Sequence, residues 1–439
     1  MMTIHIVGGG LAGSEAAYQA AKSGLPVVLY EMRPVKPSPA HKSDKFAELV
    51  CSNSLKSNNL DNAAGLLKEE MRILDSLIIE AAEATRVPAG QALAVDREAF
   101  SEYVTRRLYS LDNLKIVREE VINPKIEADD IWIFASGPLT SESLLGYLQS
   151  LFGQPYLHFF DAAAPLVSRE SLDMSKIYAA SRYDKGDPDY LNCPMNKEEY
   201  LQFWQALVEA KQVELKEFEE EKYFQGCVPI EELAARGQDT LAYGPLKPKG
   251  LIDPKTGETP YAVVQLRQDN IAADLYGLVG FQTSLLFPEQ KRVFSLIPGL
   301  EKAEFLRYGV MHRNTFIQSP ILLDEHFRLK TKKNIFFAGQ MTGVEGYIES
   351  AATGLICGIN AARQLKGQEP LSPGQHSMLG ALMHYATNCD PKRFQPMNAV
   401  FGIMPPLAER VRNKRQRYSM YSKRGIEAIE EYRALLEVK

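Results

Sequence analysis

This sequence predicts an α/β architecture: a doubly wound parallel sheet, interrupted by an inserted α+β domain and followed by a helical C-terminal segment. Three observations carry the prediction. Residues 4–13, I-H-I-V-G-G-G-L-A-G, join a short apolar run to a glycine turn and an alanine-rich stretch. A second apolar run, L-P-V-V-L-Y-E, follows at once and ends on Glu31. Far along the chain, N-I-F-F-A-G-Q (334–340) repeats the strand-to-glycine pattern and opens another alanine-rich helix. Apolar strand, glycine turn, helix and apolar strand make a parallel βαβ unit, in which strands are buried on both faces.

Size and composition set the outer limits. The chain has 439 residues, 45% of them hydrophobic and 24% charged, with a formal net charge of −5. These are ordinary values for a globular enzyme of two or three domains. No apolar run reaches the length of about 18 residues that a membrane helix requires. Five cysteines (51, 193, 227, 357 and 389) are scattered, and none are spaced C-x-x-C. That pattern speaks against a disulfide scaffold, a zinc site and a neighbouring redox dithiol. With a strand beginning at the third residue and no leader before it, the thiols are expected to be reduced and the location cytoplasmic. The slightly acidic total gives no overall attraction for nucleic acid, so local charge decides that question.

The first element is a strand over 3–8, and Gly8, Gly10 and Gly13 then fit G-x-G-x-x-G. The first glycine allows the tight turn, the second lets backbone approach a pyrophosphate, and the third lets helix pack on strand. Gly8, Gly9, Gly10, Leu11, Ala12 and Gly13 are therefore expected to cradle a dinucleotide, with the free N–H groups of a helix over 11–23 facing its phosphates. Gly24-Leu25-Pro26 stops that helix, and the strand 26–30 leads to Glu31, placed to receive ribose hydroxyls. A helix over 62–84 shows an apolar stripe of Leu66, Met71, Leu74, Leu77 and Ile78, and a second helix follows over 95–111. The strand I-W-I-F-A-S-G-P (131–138) adds another glycine turn. Proline and glycine turns, short strands and a helix near 197–211 mark residues 151–329 as the insertion. The dinucleotide domain is thus expected at 1–150 and 330–370, with a helical segment, 371–439, packed on it.

The order of turns, an early phosphate turn, a middle A-S-G and a late A-G-Q, resembles chains that hold FAD in an extended pose. Gln340 stands where many of them have Asp. The resemblance implies that Gly339, Gln340, Gly346 and Tyr347 also line the cofactor, with a helix N-terminus near 346–350 facing the flavin pyrimidine edge. No second G-x-G-x-x-G exists, so a nicotinamide reductant would visit without a domain of its own.

Other segments carry chemistry of a different kind. Cys51 lies in E-L-V-C-S-N-S and Cys227 in Q-G-C-V-P-I-E, both in turn-like settings where a thiol can face a cleft. Y-G-V-M-H-R-N-T gathers His312 with polar and aromatic neighbours. The tail R-V-R-N-K-R-Q-R-Y-S-M-Y-S-K-R (410–424) holds seven basic residues and no acidic one, including Arg412, Lys414, Arg415 and Arg417. Lys392 and Arg393 extend the patch. Interleaved tyrosines point to RNA, since a base stacked on a ring gains about 1–3 kcal/mol.

Together these stretches resemble the folate- and FAD-dependent tRNA uracil-5-methyltransferases, the TrmFO family. The resemblance runs through I-V-G-G-G-L-A-G-S-E-A-A, Y-E-M-R-P, L-V-C-S-N-S, L-A-V-D-R, F-Q-G-C-V-P-I-E, Y-G-V-M-H-R-N-T and F-A-G-Q-M-T-G-V-E-G-Y-I-E-S, in order along nearly the whole chain. The related GidA wobble-uridine modifiers share the FAD architecture but are longer, with different cysteine motifs. The resemblance implies 5-methyluridine formation in the tRNA T-loop, with methylenetetrahydrofolate as carbon donor, FAD as immediate reductant through a flavin N5-methylene intermediate, and NADPH or NADH behind it. It assigns C6 attack on the base to Cys227, a second role near the flavin to Cys51, and stacking on the folate to His312. No DNA, membrane, metal or protein partner is implied. Three rival readings are the same chemistry on ribosomal RNA, a flavin oxidoreductase without an RNA substrate, and a non-catalytic FAD-binding RNA scaffold. The second would call for two cysteines close together in sequence, and Cys51 has none nearer than Cys193.

Overall fold

The computed structural model describes residues 2–38, 40–153, 157–162, 164–184, 187–213, 228–309 and 311–437, with the side chains of 157–162, 184 and 311–314 outside that description. Its principal sheet has six strands in the order Arg328–Leu329, Lys332–Phe337, Ile131–Phe134, Ile4–Val7, Val27–Tyr30 and Leu114–Val117. All neighbours run parallel except the first pair, which is antiparallel. Ile4 pairs with Val27 on one side and Ile131 on the other, so the glycine-turn strand lies in the middle of the sheet. Central strands of a parallel sheet are covered on both faces, and Ile4, Ile6, Ile133, Phe134 and Phe336 are accordingly fully buried. This is the Rossmann-like α/β fold expected from the sequence.

Two helices pack across one another beside this sheet: Leu11–Lys22, which follows the glycine turn, and Tyr347–Leu365, which follows the late glycine segment. Small residues bring them close. A Cβ built on Gly354 would lie 2.1 Å from the Ala12 carbonyl oxygen, and one on Gly358 would lie 2.5 Å from that of Ala16. The stretch expected as one helix over 62–84 is two, Ala63–Ile73 and Leu77–Ala84, with Asp75 at φ 56° between them. The break has a local cause: Ser76 caps the second helix, and the buried Glu15 carboxylate accepts hydrogen bonds from Ser76 Oγ, Leu77 N and Ile78 N. The apolar stripe runs on across the break because both helices bury it in one core.

That core gathers residues from 4–148 and from 317–432, including Met378, Leu382, Ile429 and Tyr432 of the C-terminal helices. A separate core gathers residues from 167–303 around a six-stranded antiparallel sheet. The second sheet's order is Tyr178–Ala179, Tyr190–Met195, Ala262–Gln268, Leu275–Leu278, Leu166–Ser168 and Phe305–Arg307. Besides the helix Lys197–Val208, short helices at Ile230–Ala235, Thr240–Tyr243 and Phe287–Phe294 lie between 197 and 294. A ribbon of Leu157–Ala162 and Met311–Phe316 joins the two halves, with Thr315 N donating to Pro138 O and Ile317 N to Met341 O. Among the described residues no helix is long and apolar enough to cross a membrane.

Candidate active site

The parallel strands end on a common edge, and in such sheets the crevice beyond the carboxyl ends is where ligands bind. Here that crevice is a cleft of about 1060 Å³. Gly8–Ala12 line it after the first strand, Glu31 after the second, Ser136 and Gly137 after the strand Ile131–Phe134, and Gly339 and Gln340 after Lys332–Phe337. Tyr347 and Ser350, in the first turn of the second helix, complete one wall. Two helix N-termini therefore face the same space, and their unpaired N–H groups favour an anion between them.

The glycines have distinct duties. Gly8 sits at φ 104°, which a side chain resists, and a Cβ on Gly13 would fall 1.8 Å from the Gly8 carbonyl oxygen. A Cβ on Gly10 would meet nothing within 4 Å, because it would point into the cleft. Backbone is thus bared where a pyrophosphate would approach, and the cradle fits a dinucleotide on that ground. Gln340 donates through Nε2 to Glu345 Oε2 (2.6 Å) and remains on the cleft wall.

Glu31 is buried and tightly held. Gly9 N donates to its Oε2 (2.8 Å), while Arg33 donates from N and Nε to its Oε1 (2.9 and 3.0 Å). Burial would raise this carboxyl, but the Arg33 guanidinium and the two N–H groups outweigh it and hold the group below its ordinary range. Arg33 also reaches Glu48 Oε2 (3.2 Å) and Ser43 O (3.1 Å), so it fastens the segment that follows Glu31 over the cleft. Sequence reasoning missed Arg33; its position two residues after the strand-end acid was the available signal.

Cys51 follows Val50, which lines this cleft. The Tyr347 hydroxyl accepts hydrogen bonds from Cys51 N (2.7 Å) and Ser52 N (3.1 Å), tying the cysteine loop to the N-terminus of the second helix. On its other side Cys51 faces a chamber of about 530 Å³ lined by Arg97, Arg267, Asp269 and Arg307. Arg307 donates to Cys51 O (3.2 Å) and Ala164 O (3.3 Å), and Arg267 to Ser52 Oγ (2.6 Å) and Asn53 Oδ1 (3.0 Å). Arg97 pairs with both oxygens of Asp269 (3.0 and 2.9 Å). These arginines, dispersed in sequence, were not expected; L-A-V-D-R contained Arg97 but gave no role to it.

The remaining expected residues are dispersed. Cys227 lies outside the described residues; just after it, Ile230 N donates to the carbonyl of Gln282, which lines the Cys51 chamber. His312 is in the strand Met311–Phe316, opposite Asp161, and its side chain lies outside the description. Arg412, Lys414, Arg415 and Arg417 stand at the start of the long helix Lys414–Glu437, where Arg415 is exposed and 3.9 Å from Asp61. The half-buried tail tyrosines have a tertiary partner: Tyr418 and Tyr421 lie against Phe401, with ring centroids 4.6 and 5.5 Å away. They help to anchor the helix, while Arg412, Lys414 and Arg415 are exposed.

A family model described as glucose inhibited division protein A (GidA) matches residues 3–369. The chain is 57% identical over 427 residues to the methylenetetrahydrofolate–tRNA-(uracil-5-)-methyltransferase TrmFO of Bacillus pumilus, covering 97% of this chain and 98% of that one. It is 56% identical over 434 residues to the TrmFO of Pelotomaculum thermopropionicum, covering 99% of each. Among solved structures, Aquifex aeolicus GidA superposes with a TM-score of 0.69 at 17% identity, over 99% of this chain and 75% of that one, which attests the fold. By family match over most of its length and identity above one half over nearly all of it, the chain belongs to the GidA family and, within it, to the TrmFO proteins.

Proposed function

We propose that this protein is a folate- and FAD-dependent tRNA methyltransferase that makes 5-methyluridine in the T-loop, with NADPH or NADH as the source of electrons. The observation that carries the reading is the junction at Tyr347: one residue lines the dinucleotide cleft and holds Cys51 at the mouth of an arginine-lined chamber. A cofactor cleft and a thiol-bearing chamber that share a wall suit a reaction in which a nucleobase must meet a flavin.

FAD fits the residues present. Gly8 to Gly13 and the two helix N-termini would hold its pyrophosphate, and Glu31, on the cleft wall after the second strand, would receive the ribose hydroxyls. When bound and reduced, FAD supplies the electrons that complete the methyl group. Uracil C5 is a poor nucleophile until a thiolate adds at C6, and we assign that addition to Cys227. The C5–carbon bond then forms, the C5 proton leaves, and the carbon's bond to its carrier nitrogen breaks to give an exocyclic methylene; a hydride equivalent added to that carbon, with expulsion of the thiolate, restores the ring as 5-methyluracil. Cys51 is the second cysteine of the site, and His312 stacks on the folate. The uridine has to be flipped from its loop so that both ring faces are open. The basic face of Arg412, Lys414, Arg415 and Arg417 takes the RNA backbone.

The FAD-loaded protein is to be incubated with labelled methylenetetrahydrofolate, NADPH and a T-loop transcript, and the RNA digested. Label in 5-methyluridine is expected; its absence sinks the reading. A 5-fluorouridine transcript should be trapped covalently by the wild type and released by Cys227→Ala. Trapping that survives the substitution would refute the assignment of the nucleophile.

A further inference from the structure

The chamber beside Cys51 carries more positive charge than its own residues balance. Arg97, Arg267 and Arg307 all line it, and among the described residues the carboxylate in contact with them is Asp269, which Arg97 engages. Arg267 is met by neutral partners, Ser52 Oγ and Asn53 Oδ1. Arg307 spends its terminal nitrogens on backbone carbonyls, and its buried Nε has no hydrogen-bond acceptor among the described residues. Burial, together with the neighbouring Arg97 charge, brings the Arg307 guanidinium down to about 10, still protonated at neutral pH but pressed by like charge. Even with Cys51 as a thiolate, one positive charge is left over. Buried cations without counter-ions are strongly disfavoured, so an anion from outside would complete the set.

We infer that this chamber is a phosphate-binding subsite: the guanidinium groups of Arg97, Arg267 and Arg307 receive a backbone phosphate next to the target uridine, and so set that base against Cys51. Planar guanidinium donors suit phosphate oxygens, and phosphate contacts fix register without reading sequence. An anion seat beside the second cysteine of the site suits a nucleotide, whose base and backbone phosphate lie one ribose apart. The inference rests on the proposal that RNA is the substrate.

The test uses the FAD-loaded full chain and a labelled T-arm hairpin, with native linkages or with neutral methylphosphonates on both sides of the target uridine. Binding is followed by fluorescence anisotropy for the wild type, Arg267→Gln and Arg307→Lys. For the wild type, the neutral linkages should weaken binding about 10-fold, the weight of one charge-assisted contact. Each variant should weaken binding to the native hairpin by a similar factor and then lose little more on the neutral one. A wild type indifferent to the neutral linkages overturns the inference, and that arm needs no variant to fold. Variants whose losses multiply with those of the neutral linkages also overturn it, as would a raised KM for methylenetetrahydrofolate with the phosphate effect intact. A wild type that fails to methylate the native hairpin sinks the functional reading. One that methylates it yet ignores the neutral linkages sinks the subsite alone.

Discussion

Replacing Gly354 by alanine should loosen the cofactor cleft from a distance. The added Cβ would lie 2.1 Å from the Ala12 carbonyl oxygen, where ordinary contact begins at 3.4 Å, so the two helices must part by roughly 1 Å. Overpacking of this kind destabilises by about 1–3 kcal/mol. The N-termini of the same helices line the cleft, so the displacement also widens the space proposed for the pyrophosphate. Gly10→Ala is the matched control: its Cβ meets no protein atom within 4 Å and its φ of −73° suits any residue, yet the methyl group enters the space of the pyrophosphate. Calorimetry on flavin-free protein and titration with FAD by fluorescence quenching separate the two. Gly354→Ala should lower both Tm and FAD affinity, the latter by roughly 10-fold for each 1.4 kcal/mol of cleft distortion. Gly10→Ala should leave Tm alone and weaken FAD comparably. Wild-type Tm and affinity in Gly354→Ala, or wild-type affinity in Gly10→Ala, would refute the role given to these helices.

Three further outcomes are expected. Tyr347→Phe strips the acceptor from the half-buried Cys51 N and Ser52 N, at about 1 kcal/mol per lost hydrogen bond, so peptide-resolved alkylation of Cys51 should quicken and turnover fall; an unchanged alkylation rate contradicts this. Burial raises the Glu70 carboxyl to about 8 from 4.5, although Met378 N and Leu379 N donate to it. The folded state therefore holds this proton more tightly, and the resulting stability is full below about pH 4.5 and lost as pH rises through 8. Urea unfolding across that window should show a shallower pH dependence in Glu70→Gln, and an equal slope in both proteins rules the assignment out. Neutralising Arg412, Lys414, Arg415 and Arg417 together should flatten the salt dependence of RNA binding by roughly 3 in log–log slope, taking about 0.7 per contact on single-stranded RNA. An unaltered slope returns that face to plain surface.

What the sequence disclosed was local in origin. The strand, turn and helix at residues 4–22 obey spacing rules that operate within a dozen residues, and the same rules apply at 334–350. The break at Asp75 was present as turn and cap chemistry in Asp75-Ser76, but a continuous apolar stripe masked it, because stripe and break answer to different constraints. Arg97, Arg267 and Arg307 could not be grouped from sequence, since one opens the helix Arg97–Tyr109, the others lie on two strands of the second sheet, and only the meeting of that helix with that sheet assembles them. Tyr418 and Tyr421 show the same limit: nothing in the basic stretch around them announces their tertiary partner, Phe401. Arg33 shows the middle case, near its partner in sequence yet without a motif to announce it.

The seam between the two cores is made of directional polar contacts: Asn53 Nδ2 to Gln268 O, Ile271 N to Asp96 Oδ2, Arg97 to Asp269, and Arg307 to the cysteine loop. Contacts of this sort hold an angle firmly while contributing modestly to the free energy of association, because each can be exchanged for water. Aim and durability are thus assigned to different materials: greasy interiors keep either half folded, while the bearing of Arg267 and Arg307 toward the cysteine loop is kept by a joint that can be rinsed apart. Mild denaturant or a badly chosen salt would then spoil the alignment well before it melts the molecule.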